Sequence, residues 1–185
     1  MISPANDDHV LVAETSRLRL RRLTAEDAPF ILELLNEPAW LRFIGNKAVA
    51  MLDDARGYIA KGPVTSYESF GFGLYLVTLR ADGVPLGICG LIRRDALPDA
   101  DIGFALLERH HGNGYAREAV KATIDLARDH LKLNRLLAIA APENLVSIRL
   151  LEELGFHAEE LVRLRAESDE LALMALDLRD RKSVV

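Results

Sequence analysis

The residues best suited to chemistry lie in one short glycine turn. Between an apolar run at 101–107 and an amphipathic stretch from Ala116, the chain reads Glu108-Arg109-His110-His111-Gly112-Asn113-Gly114-Tyr115-Ala116. Gly112 and Gly114 let the backbone turn sharply, so that successive N–H groups converge at a helix N-terminus and form a cradle for an anion such as a pyrophosphate. The plainer alternative is that the two glycines only tighten a connection. A dinucleotide fingerprint is excluded, because it needs a third glycine where Arg117 stands, and no G-x-x-x-x-G-K-[ST] occurs. Asn144 precedes a helical pattern and can accept an N–H from Ser147 as an N-cap. His110, His111 and His157 are rival bases, since imidazole titrates near pH ~6.5, but each also reads as a packed or solvated side chain. Cys89, within the apolar GICGLI, has no basic neighbour in sequence and reads as a buried inert thiol.

The elements that must position these groups follow from periodicity. Ser16–Leu23 alternates leucine and arginine as a half-buried strand, and residues 25–36 carry Phe30, Ile31, Leu34 and Leu35 at helical spacing behind an N-cap at Thr24. Residues 37–50 read as irregular, and a second helix over 51–61 should stop at Gly62-Pro63. Strands at 72–79 and 85–93 join through Ala81-Asp82-Gly83, and a third follows at 101–107. Residues 116–131 form the clearest helix, with Ala116, Ala119, Val120, Ile124, Ala127 and Leu131 on one face and Glu118, Lys121, Asp125 and Arg128 as solvated partners opposite. A strand at 136–140, a helix at 144–154 capped by Gly155, and closing strands at 156–163 and 171–177 complete the order β-α-α-β-β-β-α-β-α-β-β. The crossover helix implies some parallel pairing inside an otherwise antiparallel sheet. The expectation is one α/β (α+β) domain over 14–180, a mixed, mainly antiparallel twisted sheet of about seven strands with helices on both faces. Residues 1–13 read as a polar arm and 181–185 as a tail. The apolar closing strand LALMAL could pair across a homodimer.

Composition narrows the function. The 185 residues are half hydrophobic and suit one domain with a sizeable core. The net charge is -5 with no basic block, so no nucleic-acid footprint stands out, and the acidic excess hints weakly at cationic substrates. One cysteine excludes an internal disulfide and a multi-cysteine zinc site, so no metal is expected and a reducing cytosol fits. No segment approaches the ~20 apolar residues of a membrane span, and a cytoplasmic protein is expected.

The motifs also carry a resemblance. Arg109-His110-His111-Gly112-Asn113-Gly114 is similar to the [QR]-x-x-G-x-[GA] motif of the GNAT superfamily of acyl-CoA-dependent N-acetyltransferases. Gly114-Tyr115-Ala116-Arg117-Glu118-Ala119, Asn144-Leu145-Val146-Ser147 and Glu152-Glu153-Leu154-Gly155-Phe156 resemble the G-Y-A-x-E-A, N-x-x-S and E-x-L-G-F of its RimJ/RimL-like branch, over roughly residues 14 to 178. The resemblance implies that Gly112, Asn113, Gly114, Tyr115 and Ala116 hold the CoA pyrophosphate, with Arg109 at the entrance. It implies that strand 101–107 splays from strand 136–140 and that pantetheine pairs with backbone at Phe104, Ala105, Leu106 and Leu107. His111 stands where the branch often has tryptophan, and Leu151 stands where many relatives carry a tyrosine acid. Ser147 would then meet the CoA sulfur, with Asn144 beside it.

Acyl transfer to an amine needs a neutral amine, a stabilised oxyanion and a protonated leaving thiolate. A lysine-like acceptor lies ~4.6 kcal/mol from neutrality at pH 7 and an α-amine only ~1.4 kcal/mol, so an N-terminal acceptor asks little of a base. Asp101, at a position that is acidic in the branch, is the first candidate base, against the alternative of an exposed turn aspartate. The resulting expectation is an acetyl-CoA-dependent N-acetyltransferase acting by direct attack on a primary amine, at a protein N-terminus or on a small molecule. Residues 37–50 and the Arg165–Glu170 turn would shape the acceptor funnel. A non-catalytic acyl-CoA-binding sensor or assembly module, and transfer of a larger acyl group, are the competing expectations.

Overall fold

The computed structural model describes residues 10–179. Its centre is one eight-stranded sheet in the order β1-β2-β3-β4-β5-β6-β8-β7. The strands are β1 (Leu11–Glu14), β2 (Leu18–Arg22), β3 (Leu74–Leu79), β4 (Pro85–Ile92), β5 (Asp101–Leu106), β6 (Arg135–Ala140), β7 (His157–Val162) and β8 (Leu171–Asp177). All neighbours are antiparallel except β5 and β6, which the crossover helix forces to run parallel. The strand beyond the expected seven is β1, which lies partly inside the stretch read as a polar arm. Its Leu11-Val12-Ala13 segment pairs with β2, and Val12 and Ala13 pack on the core. The rest of that arm, residues 1–9, and the tail at 181–185 lie outside the described residues.

Period-two alternation divides the core between the faces of the sheet. Tyr75 and Val77 of β3, with Leu18 and Leu20 of β2, face one side, where α5 (Tyr115–Asp125) covers them with Ala119, Val120 and Ile124. Leu76 of β3 and Ile88 of β4 face the other, against Phe30, Ile31, Leu34 and Leu35 of α1 (Ala28–Leu35) and Ala55 and Ile59 of α3 (Leu52–Ile59). Helices on both faces thus follow from strands that are apolar on both sides. α6 (Leu145–Glu153) joins the α5 layer through Leu151.

Two local expectations give way to tertiary context. Residues 37–50 are not wholly irregular: Pro38 starts a short helix, α2 (Pro38–Phe43), whose Trp40 ring is buried and donates Nε1–H to the Gly45 carbonyl at 3.1 Å. Gly62-Pro63 does not end α3 either. The chain widens into a π turn over Ala60–Val64 and continues as α4 (Thr65–Phe70). The wide turn accommodates the ring of Pro63, and the Thr65 hydroxyl donates to the Ala60 carbonyl at 2.9 Å. The stop comes at Gly71, which takes the left-handed φ of 76° that a helix end favours. The dimer expectation for β8 also changes: it lies between β6 and β7, so both of its edges are already paired. Among the described residues the sheet ends at β1 and β7.

Ile124 is wholly buried where α5 meets the sheet. Ile124→Ala should destabilise the fold by about 2–5 kcal/mol, read as a lower urea midpoint at unchanged slope.

Candidate functional site

The site begins where a ladder stops. β4 and β5 pair along their whole length, from Gly87–Leu106 to Ile92–Asp101. β5 and β6 pair only at Asp101–Leu137 and Ile102–Ala138. Beyond Ile102 the strands diverge, as the resemblance implied, and β5 turns an unpaired edge towards the gap. A cleft of about 830 Å³ opens there, lined by Phe104, Ala105 and Leu106 on one wall and by Asn144, Ser147 and Leu151 on the other.

At one end of the cleft lies the glycine turn. Gly112 and Gly114 both take φ of 77°, a conformation L side chains rarely adopt, which is why the sequence has glycine at both positions. A Cβ at Gly112 would meet nothing within 4 Å, so the requirement there is backbone conformation and not space. Gly114 is the N-cap of α5 and carries no side chain to cap it, leaving the first-turn N–H groups open towards the cleft, which Gly112, Gly114, Tyr115 and Ala116 all line. This uncapped, positive helix end is the feature an anionic pyrophosphate needs, so the residues present fit CoA. His111, in the place of the branch tryptophan, lines the cleft and ties its ring Nε2 to the Leu106 carbonyl at 2.9 Å, joining the end of β5 to the turn.

Not every expected cradle residue faces the cleft. Arg109 turns outward into an ion pair with Glu33 of α1. The Asn113 side chain folds back on the carbonyls of His110 and His111 at 3.2 and 3.1 Å. Arg117, which the sequence marked as a missing glycine and as the variable position of the helix motif, does line the cleft and pairs with Glu153 of α6.

Glu118 also departs from expectation, for it is no solvated surface acid. One oxygen accepts from the Thr15 hydroxyl at 2.5 Å and the Arg17 backbone N–H at 3.0 Å, while the other accepts from Arg17 Nε at 2.7 Å. Arg17 in turn donates to the Asn113 carbonyl at 2.9 Å and lies 4.7 Å from the centre of the Tyr115 ring. The β1–β2 connection therefore holds the glycine turn in place. The sequence signal was the glutamate of the helix motif, but its partner lies about a hundred residues earlier.

Asp101 lies at the other end. The alternative of an exposed turn residue is ruled out, since it is 1% exposed. One carboxylate oxygen accepts from Arg94 Nε at 2.9 Å, and the other is buried with no partner among the described residues. Burial raises its carboxyl above the ordinary range, opposed by the Arg94 guanidinium. Asn144 caps α6 as expected, accepting from the Ser147 N–H at 3.3 Å. Leu151, in the place of the tyrosine, is buried and has no proton to give. Lys47 of the α2–α3 connection lines the cleft; of the other expected funnel segment only the flanking Leu164 and Leu171 do, and the Arg165–Glu170 turn itself contributes no lining residue. Of the rival histidines, His110 is held below the usual imidazole range by desolvation and the neighbouring Arg109, and His157 is exposed on β7. Cys89 is buried against the Thr123 hydroxyl at 3.3 Å, and burial pushes its thiol up to about 12, so it stays protonated. Among the described residues no group of three or more potential metal ligands occurs, and no helix is long and apolar enough to cross a membrane.

A splayed parallel pair beside an uncapped helix N-terminus, on this mixed sheet, defines the acyl-CoA-dependent N-acyltransferases. The chain belongs to the GNAT acetyltransferase family, whose domain model, described as an acetyltransferase (GNAT) domain, matches residues 17–157. It is 33% identical over 150 residues to an uncharacterized N-acetyltransferase, p20, of Bacillus licheniformis, covering 80% of this chain and 84% of that protein. An acetyltransferase from Agrobacterium tumefaciens superposes with a TM-score of 0.76 at 26% identity, over 89% of this chain and 92% of that one. RimL, a ribosomal L7/L12 alpha-N-protein acetyltransferase solved in complex with coenzyme A, shares the fold with a TM-score of 0.77 at 18% identity, over 90% of this chain and 97% of that one.

Glu118→Ala should cost about 1–3 kcal/mol by stranding the Thr15 and Arg17 donors, lowering the melting temperature. It should also speed hydrogen exchange of the amides at 112–116, while Glu118→Gln recovers part of both effects.

Proposed function

We propose that this chain transfers an acetyl group from acetyl-CoA to a primary amine, on a small molecule or at a protein N-terminus, by direct attack in a ternary complex. The observation that carries the reading is the early end of the β5–β6 ladder beside the uncapped start of α5. Bound acetyl-CoA supplies a thioester acyl group.

The chain's residues would supply the rest. Backbone N–H groups of Gly112, Asn113, Gly114, Tyr115 and Ala116 take the pyrophosphate, Asn113 acting through its backbone because its amide is turned away. Arg109, committed to Glu33, contributes only long-range positive charge at the entrance. The open edge of β5 at Phe104, Ala105 and Leu106 pairs with the pantetheine amides, and an N–H of that edge meets charge developing on the acyl oxygen. Asn144 orients the start of α6, and the Ser147 hydroxyl donates a hydrogen bond to the leaving sulfur in the absence of a tyrosine. Asp101 accepts the proton of the amine through its unpartnered oxygen, directly or through water. That buried, unsatisfied carboxylate oxygen favours catalysis over a sensor, because a sensor has no use for a proton acceptor at the far end of the cleft. A single cysteine, which can form no internal disulfide, suits action in the cytoplasm.

Two outcomes test this. Acetyl-CoA at about 100 times Kd should add ~2.7 kcal/mol of stability, a rise of roughly 5 to 11 °C in the melt. Gly112→Val, strained at positive φ, should abolish most of that rise; an unshifted melt at saturating ligand would sink the proposal. For pH, a base must be ionised, and a raised pKa keeps it protonated to higher pH. Activity should therefore fall as pH drops through a limb lying above the ordinary Asp value of ~3.9. Asp101→Asn should remove that limb and lower kcat on the order of 100-fold or more. A wild-type rate and profile in that variant would remove Asp101 from the mechanism.

A further inference from the structure

At the Asp101 end the floor of the cleft turns apolar around one acid, and strand register places each side chain. Ile92 of β4, Asp101 of β5 and Leu137 of β6 stand side by side, on the face of the sheet that α1 and α3 cover elsewhere. The next row on that face holds Leu74, Gly90 and Gly103. Gly103 brings no side chain, and its neighbours lean over it: a Cβ there would meet Ile92 Cδ1 at 3.0 Å and Leu74 Cδ2 at 3.5 Å. Ile139 of β6 would continue this row, but the strands have parted by then. It packs instead on Leu97, Leu137 and Leu173, as does Leu164 of the β7–β8 turn. Leu171 of β8 and Ile44, which follows α2, complete the wall. Leu74, Ile92, Ile139, Leu164, Leu171 and Ile44 all line the cleft, and none is fully buried.

Charge is sparse at this end. Glu37 accepts from the Glu108 backbone N–H at 2.9 Å, so both of those acids belong to the glycine-turn end. Glu143 lies past β6 beside the Asn144 cap, and Arg117 of α5 pairs with Glu153. Asp101 is therefore the acid of this end among the described residues, with Arg94 bonded to it and Lys47 exposed.

Asp101 is 1% exposed, and its second oxygen has no partner among the described residues. That oxygen calls for a hydrogen-bond donor, and the half-buried wall around it calls for apolar surface. A longer acyl chain on the thioester would satisfy the wall and leave the oxygen bare. A hydroxylated amine or a polyamine would satisfy the oxygen and leave the wall wet, and a second ammonium would meet no second carboxylate here. An amine on an apolar body satisfies both. The cleft of about 830 Å³ must also hold the pantetheine arm, so that body is small.

Resting on the acetyltransferase reading, we propose that the acceptor is a small primary amine joined through one or two carbons to a branched aliphatic or aromatic group. Its nitrogen meets Asp101, and its apolar group covers Ile92, Ile139, Leu171 and Ile44. The nitrogen bonds to the acyl carbon as the C–S bond breaks, and its proton passes to Asp101 and returns through water to the CoA thiolate.

The test is acetyl transfer by the full chain to 3-methylbutylamine, 2-phenylethylamine, ethanolamine, spermidine and a short peptide with a free N-terminus, followed as CoA thiol release. Ethanolamine is no more basic than the alkylamine, so protonation at pH 7 does not favour the apolar acceptor. At least one apolar amine should nonetheless exceed ethanolamine in kcat/KM by about tenfold or more. Ile44→Asn and Leu171→Asn should each reduce that ratio at least about fivefold, mainly through KM, while Leu171→Met keeps most of it. The acetyl-CoA melt shift, retained in each variant, shows that it is folded. Ile44 is 43% exposed, so its replacement leaves the core intact. The inference is overturned if ethanolamine, spermidine or the peptide matches or exceeds both apolar amines, or if the variants leave the ratio unchanged. It is also overturned if butanoyl-CoA is used in preference to acetyl-CoA and the asparagine variants abolish that preference, because the wall then holds the acyl chain. If acetyl-CoA shifts the melt and no apolar amine is acetylated, only the acceptor inference fails. If acetyl-CoA does not shift the melt and no amine is acetylated, the acetyltransferase reading fails instead.

Discussion

Everything at this site depends on the early end of one ladder. Two strands linked by a helix must run parallel, and a parallel pair in the middle of a sheet normally pairs along its length. Here it stops after Ile102, and the backbone groups β5 would have given to β6 face the gap without a partner strand. A buried edge without partners is unfavourable, since each unsatisfied amide costs the free energy of a lost hydrogen bond. The divergence is tolerable because the rest of the sheet is closed around it: β4 completes one side of β5, and β8 completes the far side of β6. The strain of opening the sheet is thus confined to a single seam.

The glycine turn is held to that seam by contacts that are remote in sequence. Positive φ at Gly112 and Gly114 allows the turn but does not locate it. Location comes from Glu118, which gathers Thr15 and the backbone and guanidinium of Arg17, and from Arg17 reaching the Asn113 carbonyl. The His111 ring adds a tether to the end of β5. One carboxylate in the first turn of α5 both suits the positive end of the helix and anchors the loop before it. The short β1–β2 connection therefore belongs to the framework that positions the turn.

Asp101 forms the other end of the cleft. Burying a carboxylate is unfavourable unless it is paired, and Arg94 satisfies one oxygen only. The remaining oxygen keeps a raised proton affinity, as the proposed role of base requires, because full satisfaction would have pulled the carboxyl back down.

What the sequence determined by itself was local and periodic. The seven expected strands, the α5 face, the Asn144 cap and the two glycines were all legible, because each rests on neighbours within a few residues. The motif spacing was enough to assign the family. The misread features depended on distant partners. β1 is too short to announce itself without β2 beside it, Pro63 breaks a helix only until a π turn and Thr65 accommodate it, and β8 reads as an edge until β7 folds back along it. Glu118 looked solvated, and the sequence left the exposure of Asp101 open, since burial and charge pairing are set by residues far along the chain. Spacing along the chain governs backbone conformation, whereas the dielectric and the charges surrounding a side chain exist only once the sheet has closed.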